Sequence, residues 1–414
     1  MFEFELAQRL YKAKKGEKQI SKPAVIIAIA GISIGLIIML LTLAIVIGFK
    51  SNIKEKVTGF TSDIILTNYN AAASFESHPI ATSQKMIQDI EQIKGVEHIQ
   101  RYSTKVGMLK TDDAFEGIIL KGIGQEYDTS FYSKALLAGR LPNFNDTTST
   151  NEVIISKTLA DLMAVKLDDK VLTYFAENKG VKARRVTVVG IYQTNFYEYD
   201  KIYMITDLHM LTRLNKWNED QNSGLEIRLK EGVNLEDMTY ELSDQYSGKT
   251  DRYDEPYIVL NVEQLNGALF GWLELLDMNI WVILALMMLI SGFTVISGLL
   301  ILILERTQMI GLLKGLGATN GAIRKIFIYL ASFLIIKGLL IGNAIGLGLC
   351  FLQQQFGLIK LDPMVYYIDR VPISISLWWV LLLNSSVLLI SILMLIGPSY
   401  IISKINPATS MRYE

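Results

Sequence analysis

The residues of this chain that could carry out chemistry are few and stand apart from one another. The three histidines, His78, His98 and His209, show none of the short spacings by which metal ligands are recognised. No Gly-x-x-x-x-Gly-Lys-Ser/Thr sequence is present, so no P-loop for ATP is expected. The acidic pairs Asp112-Asp113 and Asp168-Asp169 are most simply solvated turns. These observations predict a non-enzymatic chain without a metal or cofactor of its own.

A single lysine lies deep in an apolar stretch. Lys337 comes eleven residues after the start of the apolar run 326–352, too deep for its amine to reach water easily. A buried cation of this kind is expected to pair with a polar group or to face a polar cavity. The polar residues that could serve are Asn343, Asn384, Ser385 and Ser386. We favour a structural bond, and contact with a substrate is the alternative.

A short charged segment, residues 305–327, separates two long apolar runs. Its apolar residues follow the i, i+3, i+4, i+7 spacing of one helix face: Met309, Leu312, Leu313 and Leu316. Gly311 and Gly315 each cost such a helix about 1 kcal/mol relative to alanine, which suggests close approach by another backbone. Gly317 is expected to end the helix. The segment is therefore predicted to be an interaction element at the membrane surface.

Four apolar runs are long enough to cross a hydrocarbon core of about 30 Å, which needs about 20 residues. They are residues 23–49, 279–304, 326–352 and 377–396. The first run is too long for a cleaved signal peptide, and no small-residue cleavage site follows it. Cys350, the only cysteine, lies in the third run, so no disulfide can form within the chain. The sequence therefore predicts an α-helical membrane protein with four transmembrane helices.

Basic residues predict how these helices are oriented, because lysine and arginine are enriched in cytoplasmic loops. Residues 1–22 contain six of them, 305–325 four and the tail 397–414 two, whereas the loop 353–376 contains two. Both termini and the 305–325 loop are therefore expected in the cytoplasm. Residues 50–277 are then outside, with 25 basic and 34 acidic residues, a net charge of −9. That charge argues against binding of nucleic acid or acidic lipid there.

The outer segment alternates strand-like and helix-like patterns. Residues 59–121 predict strands around a helix near 84–93, and residues 226–262 predict a strand, a helix and a strand. The insertion between them, about 130–215, predicts a mostly β unit with one helix and a short hairpin at 174–186. The expected outcome is a large α+β extracytoplasmic domain built from two halves and an insertion.

Two further groups of residues are candidates for contacts. Small residues recur every four positions, which lets helices approach closely in lipid: Gly31, Gly35, Gly338, Gly342 and Gly346. Packing within one subunit and a dimer seam both remain open for them. Phe196, Tyr197 and Tyr199 form an aromatic cluster that would either dock a lipidated protein or carrier, or pack a small sheet. We favour the packing role.

The start of the chain combines an apolar stripe with a lysine-rich run. Phe2, Leu6 and Leu10 are spaced at i, i+4 and i+8. An amphipathic helix in the inner membrane interface and a frayed basic tail both fit this pattern.

Several of these stretches resemble one family. Residues 305–327, ERTQMIGLLKGLGATNGAIRKIF, look like the cytoplasmic loop of the FtsX/MacB/LolC–LolE permeases, the type VII ABC transporters. The start EFELAQRLYKAKK resembles LolC/LolE-type subunits and favours the amphipathic helix, and the tail SKINPATSMRYE is also similar. NEVIISKTLADLMAVKLDDKV and VVGIYQTNFYEYDKIYMI resemble the insertion of the MacB-type periplasmic domain. Asp168 departs from the glycine usual in the family, which suggests a different turn.

The resemblance implies four transmembrane helices plus a MacB-type periplasmic domain with Porter and Sabre-like subdomains, in the bacterial inner membrane. In the family, the loop at 305–325 carries a coupling helix that docks on an ATPase. The matching residues here are Glu305, Arg306, Met309, Ile310, Leu312, Leu313, Lys314 and Leu316. Implied partners are a LolD-like ABC ATPase dimer that binds ATP and Mg, a second permease subunit (identical or paralogous), a lipoprotein substrate and a periplasmic lipoprotein carrier. In LolC-type subunits, a long hairpin of the insertion recruits the lipoprotein carrier. The matching hairpin here, 174–186, is short and has no proline, which disfavours direct recruitment of the carrier by this subunit.

The function implied is that of a LolC/LolE-type permease. Such a subunit uses ATP hydrolysis by its partner to extract and release lipoproteins by mechanotransmission, with the work done at the first two spans and the coupling helix. A MacB-like export permease and an FtsX-like mechanotransmitter that activates a cell-wall hydrolase are the alternatives. MacB proteins carry their ATPase fused at the N-terminus, and FtsX-like proteins have a smaller outer domain, which counts against both.

Overall fold

The computed structural model describes residues 2–12, 22–72, 78–112, 114–144, 150–177 and 180–404. The chain divides into two compact units. The helical unit comprises residues 1–51, 272–360 and 370–414, and the sheet unit comprises residues 52–271 and 361–369. Several predicted features lie outside the described residues: the lysine-rich run at 13–21, Asp113, the turn residues 178–179 and the last part of the tail, 405–414.

The helices and strands are numbered here in chain order. The helices are α1 (Phe2–Lys12), α2 (Lys22–Thr61), α3 (Tyr69–Ala72), α4 (Gln84–Glu91), α5 (Ser130–Ala135), α6 (Lys157–Met163), α7 (Tyr197–Asp200), α8 (Leu208–Asn215), α9 (Leu235–Tyr246), α10 (Val262–Leu265), α11 (Gly267–Glu305), α12 (Thr307–Gly315), α13 (Asn320–Phe356), α14 (Pro363–Tyr366), α15 (Leu377–Ser399) and α16 (Ile401–Lys404). The strands are β1 (Ile64–Asn68), β2 (Ile80–Ala81), β3 (Val96–Lys110), β4 (Phe115–Ile123), β5 (Leu136–Gly139), β6 (Glu152–Ser156), β7 (Lys170–Glu177), β8 (Gly180–Tyr192), β9 (Tyr203–Asp207), β10 (Gln221–Asn222), β11 (Gly224–Leu229) and β12 (Tyr257–Asn261).

Four helices, α2, α11, α13 and α15, are long and apolar enough to cross a membrane, judged by length and composition. The predicted number of membrane-spanning helices is therefore confirmed. Two of them extend well beyond the apolar runs, because α2 continues to Thr61 and α11 starts at Gly267. In the added part of α2, Ile53, Val57 and Phe60 are fully buried at i, i+4 and i+7. That stripe gives the polar end of the helix an apolar face to pack.

The helical unit has one continuous core formed by the four long helices and α12. Among its most deeply buried side chains are Leu36 of α2, Leu299 of α11, Ile335 of α13 and Leu395 of α15. The core reaches the short loop helix through Ile310, which is also fully buried. The loop between α11 and α13 is thus packed onto the bundle rather than projecting from it.

The sheet unit contains a ten-stranded sheet in the order β12-β1-β11-β3-β4-β9-β6-β8-β5, with β7 pairing both β3 and β8. The ring of pairings β3-β4-β9-β6-β8-β7 returns to β3 and closes a six-stranded barrel. Leu109, Leu120, Val153, Phe175 and Met204 fill its interior. The open part, β12-β1-β11 and the start of β3, carries α4 and α9. The predicted α+β architecture is confirmed.

The insertion differs from its prediction in two details. It contains two helices of seven and eight residues, α6 and α8, besides two short ones, instead of a single helix. The second was missed because LHMLTRLN is short, although Asp207 caps it by accepting a hydrogen bond from the Met210 amide. The hairpin β7–β8 is also longer than 174–186, because its strands begin at Lys170 and end at Tyr192.

Asp168 occupies a turn that requires a left-handed backbone. Its φ is 67°, in the region that glycine favours and that aspartate tolerates better than most residues. The Asp168 amide donates to the Val188 carbonyl at 2.8 Å. Aspartate here takes a backbone conformation that glycine favours, and the expectation of a different turn stays a prediction.

Candidate functional site

The segment between α11 and α13 forms one short helix with defined ends. Arg306 precedes α12, and Glu305 is the last residue of α11, so neither lies in the helix itself. Gly317 has a φ of 90°, which glycine adopts without strain. Thr319 then caps α13 by accepting a hydrogen bond from the Ala322 amide. The chain therefore makes a compact helix–turn–helix connection at this end of the bundle.

The face of α12 that packs on the bundle is centred on Ile310 and not on the predicted apolar stripe. Ile310 is fully buried, and Met309 and Leu313 lie half-buried at its sides. Leu312 and Leu316 are 55 % and 77 % exposed, and Leu316 lies just past the end of the helix. The inward direction is displaced by roughly a quarter of a turn from the predicted stripe. The displacement leaves two leucines available on the surface of this chain.

α12 is tied to α16, the last helix among the described residues. Lys314 of α12 donates from Nζ to the Ile402 carbonyl of α16 at 2.8 Å. A cation near the end of a short helix such as α16 satisfies carbonyls that have no partner within the helix. The Arg324 guanidinium of α13 lies 3.8 Å from the centre of the Tyr400 ring, just before α16, so α13 also contacts this part of the chain.

The first helix of the chain packs against the same end of α13. The Phe4 ring makes edge contacts with Tyr329 and Phe333, with ring centres 5.7 and 5.5 Å apart. Ala7 is fully buried and Leu6 is half-buried, whereas Glu5 and Arg9 are exposed. The helix expected from the amphipathic pattern is therefore present, and it uses one face to pack on α13.

The glycine stripes bring α2 into close contact with two neighbours in the same chain. A Cβ atom on Gly338, Gly342 or Gly346 of α13 would approach α2 to between 2.9 and 3.0 Å, at Ile32, Leu36 and Leu40 in turn. Gly31 and Gly35 of α2 face Thr294 and Ser291 of α11. The Ser33 hydroxyl also donates to the Gly338 carbonyl at 2.9 Å. Both stripes are thus used within one subunit.

Lys337 is exposed on the surface of this chain. Asn343 and Asn384, two of the polar residues proposed as its neighbours, bond each other at 2.7 and 3.0 Å. Position 337 is one residue short of the buried Gly338 stripe, so its side chain does not share the face that packs on α2. Its bond to a polar group stays a prediction.

The aromatic cluster in the sheet unit is mostly packing. Phe196 is fully buried and stacks on Tyr199 with ring centres 4.8 Å apart. It also meets Tyr367 edge-on at 5.1 Å, and the Tyr367 hydroxyl bonds the Glu198 carboxylate at 3.1 Å. Tyr197 is half-buried. The docking interpretation of Phe196 is therefore wrong, since a side chain enclosed by its own domain offers no surface to a partner.

A buried ion pair holds the end of α2 to the sheet, and the sequence analysis missed it. Lys121 of β4 and Glu226 of β11 are both almost completely buried and bond each other. Lys121 also donates to the Phe60 carbonyl in the last turn of α2 and to the Tyr127 hydroxyl. That carbonyl is one of those that a helix end leaves unsatisfied, and a cation there complements the helix dipole.

Every charged atom of this pair has a partner. Glu226 accepts from Lys121 on one oxygen, and from the Tyr127 hydroxyl at 2.8 Å and the Gln100 amide at 3.0 Å on the other. Gln100 reaches on to the Ser62 hydroxyl just after α2. Burial lowers the pKa of Lys121, and the adjacent Glu226 carboxylate acts in the opposite direction. The cluster is fully bonded, so removing one member would leave the others unpaired.

A cavity of about 390 Å³ lies against this cluster. Its walls come from the face of the sheet that carries Lys121 and Glu226 and from the chain at the ends of two long helices. Those ends contribute Phe60 and Thr61 of α2, and Leu265 and Asn266 just before α11. The volume falls in the range of small-ligand sites.

One signal in the sequence could have revealed the ion pair. Lys121 and Glu226 are each the one charged residue in a strand core that is otherwise apolar, in IILKGI and GLEI. Charges of opposite sign in two such strands are expected to meet if the strands share a sheet face. β4 and β11 both pair with β3, which places them on either side of it.

Comparison with family models matches two parts of the chain. Residues 25–245 match the MacB-like periplasmic core domain, which is more than half of the chain. Residues 281–407 match the FtsX-like permease C-terminal region. The two matches together cover most of the four long helices and most of the sheet unit.

Curated relatives extend over nearly the whole length. A lipoprotein-releasing system transmembrane protein LolC from Neisseria meningitidis is 24% identical over 94% of this chain and 94% of its own. LolE from Haemophilus influenzae is 19% identical over 91% of both chains. An uncharacterized ABC transporter permease, YknZ of Bacillus subtilis, is 24% identical over 78% of this chain and 81% of its own.

Two solved structures cover about half of the chain. The extracellular domain of the transporter YknZ from Gram-positive bacteria is 18% identical with a TM-score of 0.32, covering 48% of this chain and 99% of that domain. The periplasmic region of MacB from Actinobacillus actinomycetemcomitans is 14% identical with a TM-score of 0.33, covering 50% of this chain and 91% of that region.

Proposed function

Because this chain belongs to the family of permeases with a MacB-like periplasmic core domain, we propose that it is the membrane subunit of an ABC transporter that extracts lipoproteins from the inner membrane. The observation that carries the proposal is the match to lipoprotein-releasing relatives over 94% of both chains. In a bacterial cell, the four apolar helices and the family mark an inner-membrane protein with a periplasmic domain.

ATP hydrolysis is assigned to a partner chain, an ABC ATPase dimer that binds ATP and Mg. The exposed side of α12 is the proposed docking surface, because Leu312 and Leu316 are apolar side chains left uncovered beside a fixed helix. The basic residues of the termini and of the 305–325 loop support a cytoplasmic position for this surface and for both ends of the chain.

Movement of α12 is proposed to reach the periplasmic domain through α2 and α11, each of which contributes residues to both units. Gly338, Gly342 and Gly346 hold α13 against α2, so a displacement of one helix is resisted by its neighbour. Lys121 fixes the last turn of α2 to the sheet. The partner list is completed by a second permease subunit, a lipoprotein and a periplasmic carrier.

Depletion of the protein in its native bacterium tests this function. Lipoproteins destined for release are expected to accumulate in the inner membrane, as measured by fractionation and immunoblotting, and a plasmid copy should restore their distribution. Normal release in depleted cells would reject the proposal. Mass spectrometry of the natively purified complex should identify an ABC ATPase and lipoproteins. Recovery of an adaptor with an outer-membrane duct, or of a cell-wall hydrolase without lipoproteins, would instead indicate an exporter or an FtsX-like activator.

A further inference from the structure

The outer surface of the barrel carries apolar side chains where polar ones are expected. Along β3, Leu109 points into the barrel and is fully buried, whereas Val106 and Met108 point outward and are 43 % and 42 % exposed. Phe115 at the start of β4 is 71 % exposed. Sheets with one solvated face normally place polar residues on it. Val106, Met108 and Phe115, with Tyr174 opposite Met108 on β7, are called the apolar strip below.

The apolar strip is continuous with the cavity beside Lys121. Val106 and its partner across the ladder, Ile119, both line that cavity. Met108 is the next outward residue along β3, and its partner Gly117 has open space in place of a side chain. Eight residues separate Tyr102, which lines the cavity, from the end of β3, a distance of roughly 27 Å along the strand. The cavity and the strip therefore form one elongated site.

The charged atoms at the cavity, and several of its other polar atoms, are already bonded to the protein. The Lys121 amine has three partners, and both Glu226 oxygens are engaged. The Asn266 oxygen accepts from the Tyr199 hydroxyl at 2.7 Å, and the Thr67 hydroxyl donates to the Ser223 carbonyl at 2.7 Å. The opposite charges of Lys121 and Glu226 cancel. A molecule in the cavity therefore need not supply hydrogen bonds or charge, which favours an apolar molecule.

The charges beside the strip disfavour a second copy of this chain as the occupant. Lys110 stands between Phe115 and Leu172 on adjacent strands, and Arg185 stands beyond Leu172, on the same outward face. Both basic side chains are exposed. A two-fold interface would place this basic patch against its own copy, and like charges facing each other are costly. A neutral occupant meets no such repulsion.

We propose that the cavity and the apolar strip shelter an acyl chain of a lipid-anchored polypeptide after it leaves the bilayer. The assignment rests on the proposed function, because lipoprotein release requires the chains to leave the membrane. The site begins where α2 ends and α11 starts, at Phe60 and Leu265, so it lies on the chain as it emerges from the two long helices. Burial of an acyl chain there is favourable because its apolar surface leaves water.

Photolabelling tests the site. The probe is a synthetic peptide whose N-terminal palmitoyl chain carries a diazirine, applied to the full-length protein in lipid nanodiscs. Mass spectrometry is expected to find the label on peptides of β3 and β4. The double variant Met108→Asp/Phe115→Asp should reduce this labelling about tenfold, which corresponds to the loss of about 1.4 kcal/mol of apolar contact. Leu162→Asp, at an exposed leucine on α6, is the matched control and should label normally.

Several outcomes would overturn the assignment. They are equal labelling in the double variant, labelling confined to the membrane helices, equal labelling of β3 and β4 by a diazirine phospholipid, and a crosslink that joins the strips of two copies. Melting temperatures of the variants establish that they are folded, as expected for exposed positions.

Complementation separates this inference from the proposed function. If depletion blocks lipoprotein release and the Met108→Asp/Phe115→Asp variant restores it fully, the strip has no such role and the function stands. If depletion leaves release normal, the function fails, and with it the assignment of the strip to lipoproteins. Retention of lipoproteins with the double variant, together with normal release with Leu162→Asp, supports the inference.

Discussion

The two regions that would receive and deliver motion are built in opposite ways. At α12, a nine-residue helix is held by one fully buried side chain, Ile310, and leaves Leu312 and Leu316 exposed. At the far end of α2, Lys121 and Glu226 are almost completely buried and bonded on every side. The first region leaves apolar surface exposed in this chain, whereas the second uses its polar groups internally.

The two regions differ in how their structure is stabilised. A helix shorter than about 12–15 residues is marginal alone, so α12 depends on packing against the bundle. A buried polar cluster has few alternative arrangements of similar energy, because any unpaired member is costly. Substitutions should therefore affect assembly at α12 and folding at the ion pair.

Glu226→Ala should have the largest effect. It leaves the Lys121 amine buried without its carboxylate, and breaking a buried pair in this way costs about 3–5 kcal/mol. The midpoint of denaturation of the purified full-length protein measures the loss. Glu231→Ala, at an exposed position nearby, should be close to neutral.

A double replacement tests whether the pair itself is required. Lys121→Met/Glu226→Leu removes both charges, and buried pairs replaced by apolar residues often regain most of the stability. The double variant should be clearly more stable than Glu226→Ala. Equal losses in the two variants would mean that the cost comes from packing rather than from an unpaired charge.

Asp200 adds a pH dependence to the sheet unit. Burial raises its pKa from 3.8 to about 6, although Thr194 donates to the carboxylate. Below pH 4 the group is protonated in both the folded and unfolded states. Between pH 4 and 6 the folded state alone holds the proton, so stability should fall by about 2–3 kcal/mol as the pH rises through this window.

The variant Asp200→Asn isolates this contribution. Its free energy of unfolding, measured by denaturation of the full-length protein from pH 4 to 7, should lose the part of the slope that falls between pH 4 and 6. An unchanged slope would show that the carboxyl is ionised in the folded protein throughout this range.

The sequence revealed these regions unequally. The spans were recoverable because length and apolar content are summed over about 20 residues and tolerate local error. Which face of each helix is buried was not recoverable, because a shift of one residue along a helix rotates the side-chain direction by about 100°. In α12, Ile310 is buried and Leu312 is exposed, and in α13 the Lys337 side chain is exposed.

Contacts between residues far apart in the sequence were also not predictable. Lys121 and Glu226 are 105 positions apart, and only the strand order around β3 brings them together. Phe196 and Tyr367 are separated still further and meet through a loop between two spans. Local patterns gave the strands that carry Lys121 and Glu226, whereas the identity of their neighbours depended on a topology that no short stretch encodes.

Gly342→Leu should weaken the helical unit by about 2 kcal/mol through overpacking, because a Cβ there already lies 3.0 Å from Leu36. Gly348→Leu is the matched control in the same helix, since a Cβ at Gly348 meets nothing within 4 Å. In nanodiscs, Gly342→Leu should have a lower melting temperature than Gly348→Leu. If the control loses as much, helix contact at the stripe is not what the substitution disturbs.

Leu312→Asp/Leu316→Asp should change the free energy of unfolding least, by about 0.5 kcal/mol or less, because both side chains are exposed. The same variant should lose the ATPase during native purification, since two charges would enter an apolar contact. Leu358→Asp, at an equally exposed leucine in the loop 353–376, should retain it. A variant that melts normally yet keeps the ATPase at full stoichiometry would remove α12 as the docking site. It would also erase the contrast with the ion pair, because exposure at α12 would then serve no partner.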